Sequence, residues 1–248
     1  MAKRSSTGVR KTPIKKIKKE EYVCYFCDKK FKRENTILTH KCIKRDRYND
    51  RESRLMREAL RIYLLFMKIN HLPLKKDVEP LMYFIKSLYF NDFYDFANYI
   101  LNNDILEKER FLNHIMTSGM SVQKWTTHAV LEEWVLHVLK YEHPERGVER
   151  SIMAIVEWSE LTSNEWTTFF DNVSPARFIA WVESGKISPW LLWTVPPEVL
   201  RKITDRLSDS ELEYIVKYID PTYYQIKSIN PYQVSVQKLK TILQDSGF

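Results

Sequence analysis

The sequence predicts an all-α protein: a small N-terminal ββα-like zinc finger followed by a multi-helix bundle of about ten short helices. Three observations predict it. The 248 residues contain only five glycines and no Asn-Gly or Asp-Gly hairpin signal. Apolar residues recur at helical spacing through most of the chain. All three cysteines, Cys24, Cys27 and Cys42, lie in one short stretch beside His40.

The chain is long enough for an ample core, and 44% apolar with 29% charged residues is an ordinary globular balance. No apolar run reaches the ~18–20 residues that cross a bilayer, and the basic N-terminus lacks the apolar core of a secretory signal. Clustered cysteines read as metal ligands in a reducing compartment rather than as a disulfide framework.

Residues 1–20 form the first expected division, a disordered basic tail. The whole net charge of +7 equals that of this tail, the remaining residues summing to zero. Residues 21–61 are also basic, and the rest of the chain is mildly acidic. A body without clustered cations is poorly suited to phosphate contacts, whereas the tail suits a polyanion-binding arm or a solubilising extension.

Residues 21–45 form the second division, the finger. Its spacing is Cys24-x2-Cys27-x12-His40-x-Cys42. Two cysteines two residues apart suit a knuckle that turns both thiolates toward one ion, and the next twelve residues allow a strand and a helix that returns a ligand. Thiolates plus imidazole in a tetrahedral set favour Zn²⁺. Tyr22, Phe31 and Ile37 supply the small apolar core. Positions two apart face different ways on a helix, so the helix must end near His40 for Cys42 to swing back. The finger could read nucleic acid through Lys32, Arg33, Asn35, Lys41, Lys44, Arg45 and Arg47. It could equally be a metal-stapled knob on the helical body.

Residues 46–248 form the third division, the helical domain. The segment after the finger carries Leu55, Ala59, Ile62, Leu65, Phe66 and Ile69 at helical spacing. Later helices show start and stop signals. Gly119 follows one end, and Ser121 is a candidate cap for the next helix. Ser174, Pro175 and Gly185 frame another. Ser208 with Glu211 has the capping-box spacing, and Ser235 and Gly247 frame the last. All seven tryptophans lie between Trp125 and Trp193. They read mainly as core, but "KISPWLLWTVPPE" crowds Trp190, Leu191, Leu192 and Trp193 among prolines. That segment is the candidate partner-binding surface.

No phosphate loop, H-E-x-x-H pair or G-x-S-x-G elbow is present. His128 and His137 are nine apart and point to different sides of a helix. Glu132 and Glu133 read as a solvated face, and Asp92, Asp95 and Asp104 do not converge by spacing. The residues therefore point away from an enzyme.

The finger resembles the zinc-finger family with two Cys and two His, departing at the fourth ligand, where Cys42 stands. Over a longer span, "CDKKFKRENTILTHKC", "FNDFYDFANYI", "QKWTTHAVLEEWV", "VERSI", "GKISPWLL" and "YIDPTYYQIK" together resemble the baseplate hub assembly catalyst family of T4-like tailed phages. The resemblance spans nearly all of residues 22–248. It implies a non-enzymatic morphogenesis factor, chaperone-like in virion assembly. Its partners would be baseplate hub components and its place the cytoplasm of the infected bacterium. A nucleic-acid-binding protein of phage transcription, replication or DNA handling is the alternative expectation, through the tail and finger.

Overall fold

A computed structural model describes residues 15–17, 21–74 and 77–248. Among them the chain is all-α apart from one small sheet, as the sequence predicts. The described residues divide into two compact units. One comprises those up to Asn103 with Ile115–Gln123; the other comprises Asp104–His114 with Lys124–Phe248.

The first unit begins with three short strands, β1 (Lys15–Ile17), β2 (Glu21–Val23) and β3 (Lys30–Phe31), in antiparallel order β1-β2-β3. Most of the expected disordered tail lies outside the described residues, but Lys15–Ile17 correct that reading. They pair with β2 in the register Lys15↔Val23 and Ile17↔Glu21. Strand pairing satisfies backbone groups that no side-chain pattern advertises.

Helices α1 (Glu34–Thr39), α2 (Ile43–Asn49), α3 (Arg54–Ile69), α4 (Pro80–Lys86) and α5 (Phe90–Asn102) complete most of this unit. The segment after the finger, which reads as one helix leaving it and entering the core, is two helices. The first ends at Asn49 with Asp50 as its C-cap, and Ser53 caps the second, its hydroxyl accepting from the Met56 N–H at 3.0 Å. The buried stripe of α3 is Met56, Ala59, Ile62, Tyr63 and Met67. Leu55, Leu65, Phe66 and Ile69 lie at its half-buried flanks. The core joins α3 to α4 and α5 through aromatic rings: Tyr63 lies 4.9 Å from Phe84 and 5.2 Å from Phe93, centroid to centroid.

Helix α6 (Lys108–Thr117) crosses the division, and Gly119 follows it in the left-handed conformation at φ 72°. Ser121 precedes only a 3-10 turn at Val122–Lys124. The following helix, α7 (His128–Tyr141), starts after Thr127, so Ser121 is not its cap.

The second unit continues through α8 (Pro144–Thr162), α9 (Phe169–Asn172), α10 (Pro175–Glu183), α11 (Pro189–Thr194) and α12 (Pro197–Thr204). It ends with α13 (Asp209–Val216), α14 (Pro221–Ile229) and α15 (Gln233–Asp245). Fourteen described helices follow the finger helix α1, more than the about ten expected, because serines and prolines end and restart runs that read as continuous. Ser174 caps α10 through the Arg177 N–H, and Ser208 and Glu211 form the predicted capping box on α13. The last helix starts two residues before Ser235, which is therefore not its cap.

The core of this unit gathers on α11. Trp190 is fully buried and packs edge-on against Tyr224 and Tyr232 at 4.8 and 5.6 Å. Leu191 and Leu192 are buried with it and Trp193 is half-buried. The sequence reading of this segment as an exposed grip for a partner is thereby corrected. The prolines and the Ser188 cap fold it into one short helix, and neighbouring helices enclose that helix.

A buried polar network pins α11 to α8. Glu142, only 6% exposed, accepts from both terminal nitrogens of Arg150 at 2.6 and 3.0 Å and from the Ser188 hydroxyl at 2.5 Å. Each partner satisfies the other's charge, which makes the burial tolerable.

Candidate metal centre

The chain is built locally to converge four ligands. Cys24 and Cys27 stand on the turn between β2 and β3. The Cys24 N–H donates to the Lys29 carbonyl and the Asp28 N–H to the Cys24 carbonyl, both at 2.9 Å. Asp28 closes the turn in the left-handed region at φ 59°, a conformation that Asp tolerates. Helix α1 stops at Thr39, and His40 takes an extended backbone at φ −67°, ψ 132°. That extension carries the chain back so that Cys42, at the start of α2, joins the other three. It is the break the spacing demanded.

The Sγ atoms of Cys24 and Cys42 lie 3.8 Å apart, and Cys27 Sγ lies 3.7 Å from His40 Nε2. All four ligand atoms fall within 4.8 Å of one another. Metal–sulfur bonds of about 2.3 Å and metal–nitrogen bonds of about 2.0–2.1 Å at tetrahedral angles require edges of about 3.8 Å and about 3.6 Å. The two shortest contacts match tetrahedral edges, and the four residues lie close enough together to bind one metal ion. Cys24 and Cys42 are buried, and Cys27 and His40 are half-buried.

The thiols differ. Burial pushes the Cys42 thiol up to about 11. Burial also pushes Cys24 upward, but hydrogen bonds from His40 and from the Cys27 and Phe26 N–H groups outweigh it and hold Cys24 at about 7. An ion with 2+ charge would take the place of these protons.

Of the predicted finger core, Ile37 is buried and Tyr22 and Phe31 are half-buried. Phe31 packs on the His40 ring at 4.8 Å. Phe26, between the first two cysteines, was missed by the sequence reading, though its place inside the motif was the available signal. It is buried and lies 5.2 Å from Tyr48 of α2. The knuckle is also tied to α4 by the Lys86–Asp28 ion pair at 2.9 Å. No spacing rule reaches across the 58 residues between them.

The predicted nucleic-acid contacts divide in two. Lys32, Arg33, Asn35 and Lys41 are exposed, and Lys44 is half-buried. Arg45 and Arg47 correct the prediction, since both are engaged internally. Arg45 donates to the His40 carbonyl at 3.3 Å. Arg47 donates to the Ile85 carbonyl and Asn91 Oδ1 at 3.1 and 2.9 Å and stands 3.7 Å over the Phe90 ring.

The scattered acids have separate partners: Asp92 accepts from Gln123, and Asp104 pairs with Lys186. His128 pairs with Glu183 at 3.2 Å. Glu132 is not merely solvated, as the sequence suggested. It accepts from Lys217 and from the Tyr218 hydroxyl, which hold its carboxyl below the usual range. Among the described residues the Cys/His set is the metal-ligand cluster. No described helix is long and apolar enough to cross a membrane. No family model, curated protein or solved structure matches this chain.

Proposed function

We propose that this chain is a non-enzymatic assembly factor, stapled by Zn²⁺ and acting through protein contacts, as its resemblance to the baseplate hub assembly catalysts implies. The observation that carries the reading is the closed ligand set. Three thiolates and one imidazole would fill a tetrahedral site and leave no position for water or substrate, which is the mark of a structural rather than a catalytic ion. Thiolate-rich donors favour zinc over harder divalent ions. When bound, the ion would supply folding energy to the finger, with Cys24, Cys27, His40 and Cys42 as its ligands.

A groove in the first unit supports a protein partner. Its volume is about 1000 Å³, and Phe66, Met67, Leu72, Met82, Leu88 and Tyr89 are among its lining residues. Leu88 is 97% exposed at this groove. Its two charged lining residues, Asp28 and Lys86, neutralise each other. An uncharged apolar wall repels neither sign and suits an apolar segment of another protein. Methionine and aromatic walls adapt to such segments.

The test mixes the purified chain with purified hub components of a T4-like phage and follows complex formation by size-exclusion chromatography and calorimetry. A complex is expected, with Leu88→Asp weakening it at least tenfold while circular dichroism stays unchanged. If no hub component binds, the assembly reading falls.

A further inference from the structure

The finger carries a second surface, independent of the assembly reading and distinct from the apolar groove. Its acids and bases are sorted by the fold. Glu21 pairs with Lys30 at 3.1 Å, and Asp28 pairs with Lys86. Arg45 and Arg47 are engaged internally. Lys29, Lys32, Arg33 and Lys41 remain exposed, with no ion-pair partner among the described residues, against Glu34, the one acid of residues 21–45 without an ion pair there.

The fold places these four cations on one small finger. The Phe31–His40 ring contact joins the chain neighbours of Lys32 and Lys41. The bond from the Cys24 N–H to the Lys29 carbonyl places Lys29 on the same knuckle as Tyr25. Tyr25 is 51% exposed and held edge-on against Phe26 at 5.3 Å. The pairing of β1 places the positions of Lys15 and Lys16 at the edge of the same sheet.

The arrangement differs from a groove-reading helix. Helix α1 has six residues, begins with Glu34 and contains no cation. The cations instead stand outside it, Lys29 on the knuckle that also carries the exposed Tyr25 ring, Lys32 and Arg33 before α1 and Lys41 after it. Cations on turns can follow a flexible phosphate chain, and an exposed aromatic face can stack a base that no duplex would present. We infer that the finger binds single-stranded nucleic acid, its phosphates held by Lys29, Lys32, Arg33 and Lys41 and a base stacked on Tyr25.

The test measures binding of the full chain to labelled oligo-dT and oligo-rU of about 20 nucleotides, and to a duplex of equal length, across a salt series. Four phosphate contacts on a single strand give a slope of log affinity against log salt of about −2.8, or about fiftyfold loss between 50 and 200 mM. The combined substitution Lys32→Ala, Arg33→Ala and Lys41→Ala should weaken binding at least tenfold and make that slope shallower by about 2. The single Lys41→Ala variant should change it by about 0.7, which keeps the test open if the triple variant folds poorly. Tyr25→Ala should cost about tenfold at an unchanged slope. Lys238→Ala, on the exposed face of α15, should change neither. Preference for rU or for dT supports the inference and identifies the strand as RNA or DNA. Retained affinity and slope in the triple variant, duplex binding as tight as single-strand binding, or equal competition by polyglutamate would overturn it.

Discussion

The Arg47 guanidinium of α2 stands 3.7 Å above the Phe90 ring of α5. From there it also reaches the Ile85 carbonyl and Asn91 Oδ1. One side chain thus locks the helix leaving the finger to two core helices of the first unit. Burial lowers its pKa somewhat, but a guanidinium stays charged at any physiological pH. Arg47→Ala should cost about 2 kcal/mol, combining a partly desolvated cation–π contact with two charge-assisted hydrogen bonds. A lower urea midpoint at unchanged m-value would show it. If the midpoint stays put while salt-dependent oligonucleotide binding drops, Arg47 is a nucleic-acid contact after all.

Removing the ion should be a local event. The purified chain should carry one zinc, and Cys27→Ser should carry none. Of the described helices, α1 alone lies within the ligand loop, so far-ultraviolet dichroism should fall only slightly while the finger loses its amide-exchange protection. A collapse of most helical signal in Cys27→Ser would show that finger and body fold as one unit.

Gly147 offers a test in which two principles oppose each other. It lies inside α8, where exchanging Gly for Ala usually stabilises by about 1 kcal/mol. Here an added Cβ would overlap the Ser188 hydroxyl and come within 2.8 Å of Glu142 Oε1. Both belong to the buried network around Arg150 and have little room to move. Gly147→Ala should therefore destabilise by about 1–3 kcal/mol, read as a lower thermal midpoint. A raised midpoint would mean that the network yields.

Alkaline pH should expose the burial of Tyr224. Its hydroxyl donates to the Leu139 carbonyl at 2.8 Å, and burial raises its pKa above the usual value of 10.0. A group that holds its proton more tightly when folded contributes fully below the unfolded pKa. That contribution is lost as pH rises from about 10 toward the folded value. Wild-type urea midpoints should therefore fall above about pH 10. Tyr224→Phe should start about 1 kcal/mol lower at neutral pH and fall less steeply. Parallel curves for the two proteins would disprove the linkage.

The sequence by itself determined the helical class, the Cys/His cluster and several helix boundaries. Each is written locally: a 3.6-residue period, a serine three residues before a glutamate, two cysteines on one turn. It determined even that α1 must break at His40, because side chains two apart cannot share a helix face. What it could not decide depended on residues far away in the chain. Trp190 is core and not grip because Tyr224 and Tyr232 close over it. Arg47 is engaged inside the fold because Phe90 lies beneath it. Lys15–Ile17 are strand and not loose tail because β2 offers them an edge. A side chain's composition states what it can do; only the tertiary structure decides which partner, or water, it meets, since burial and pairing are properties of neighbours that local sequence does not encode.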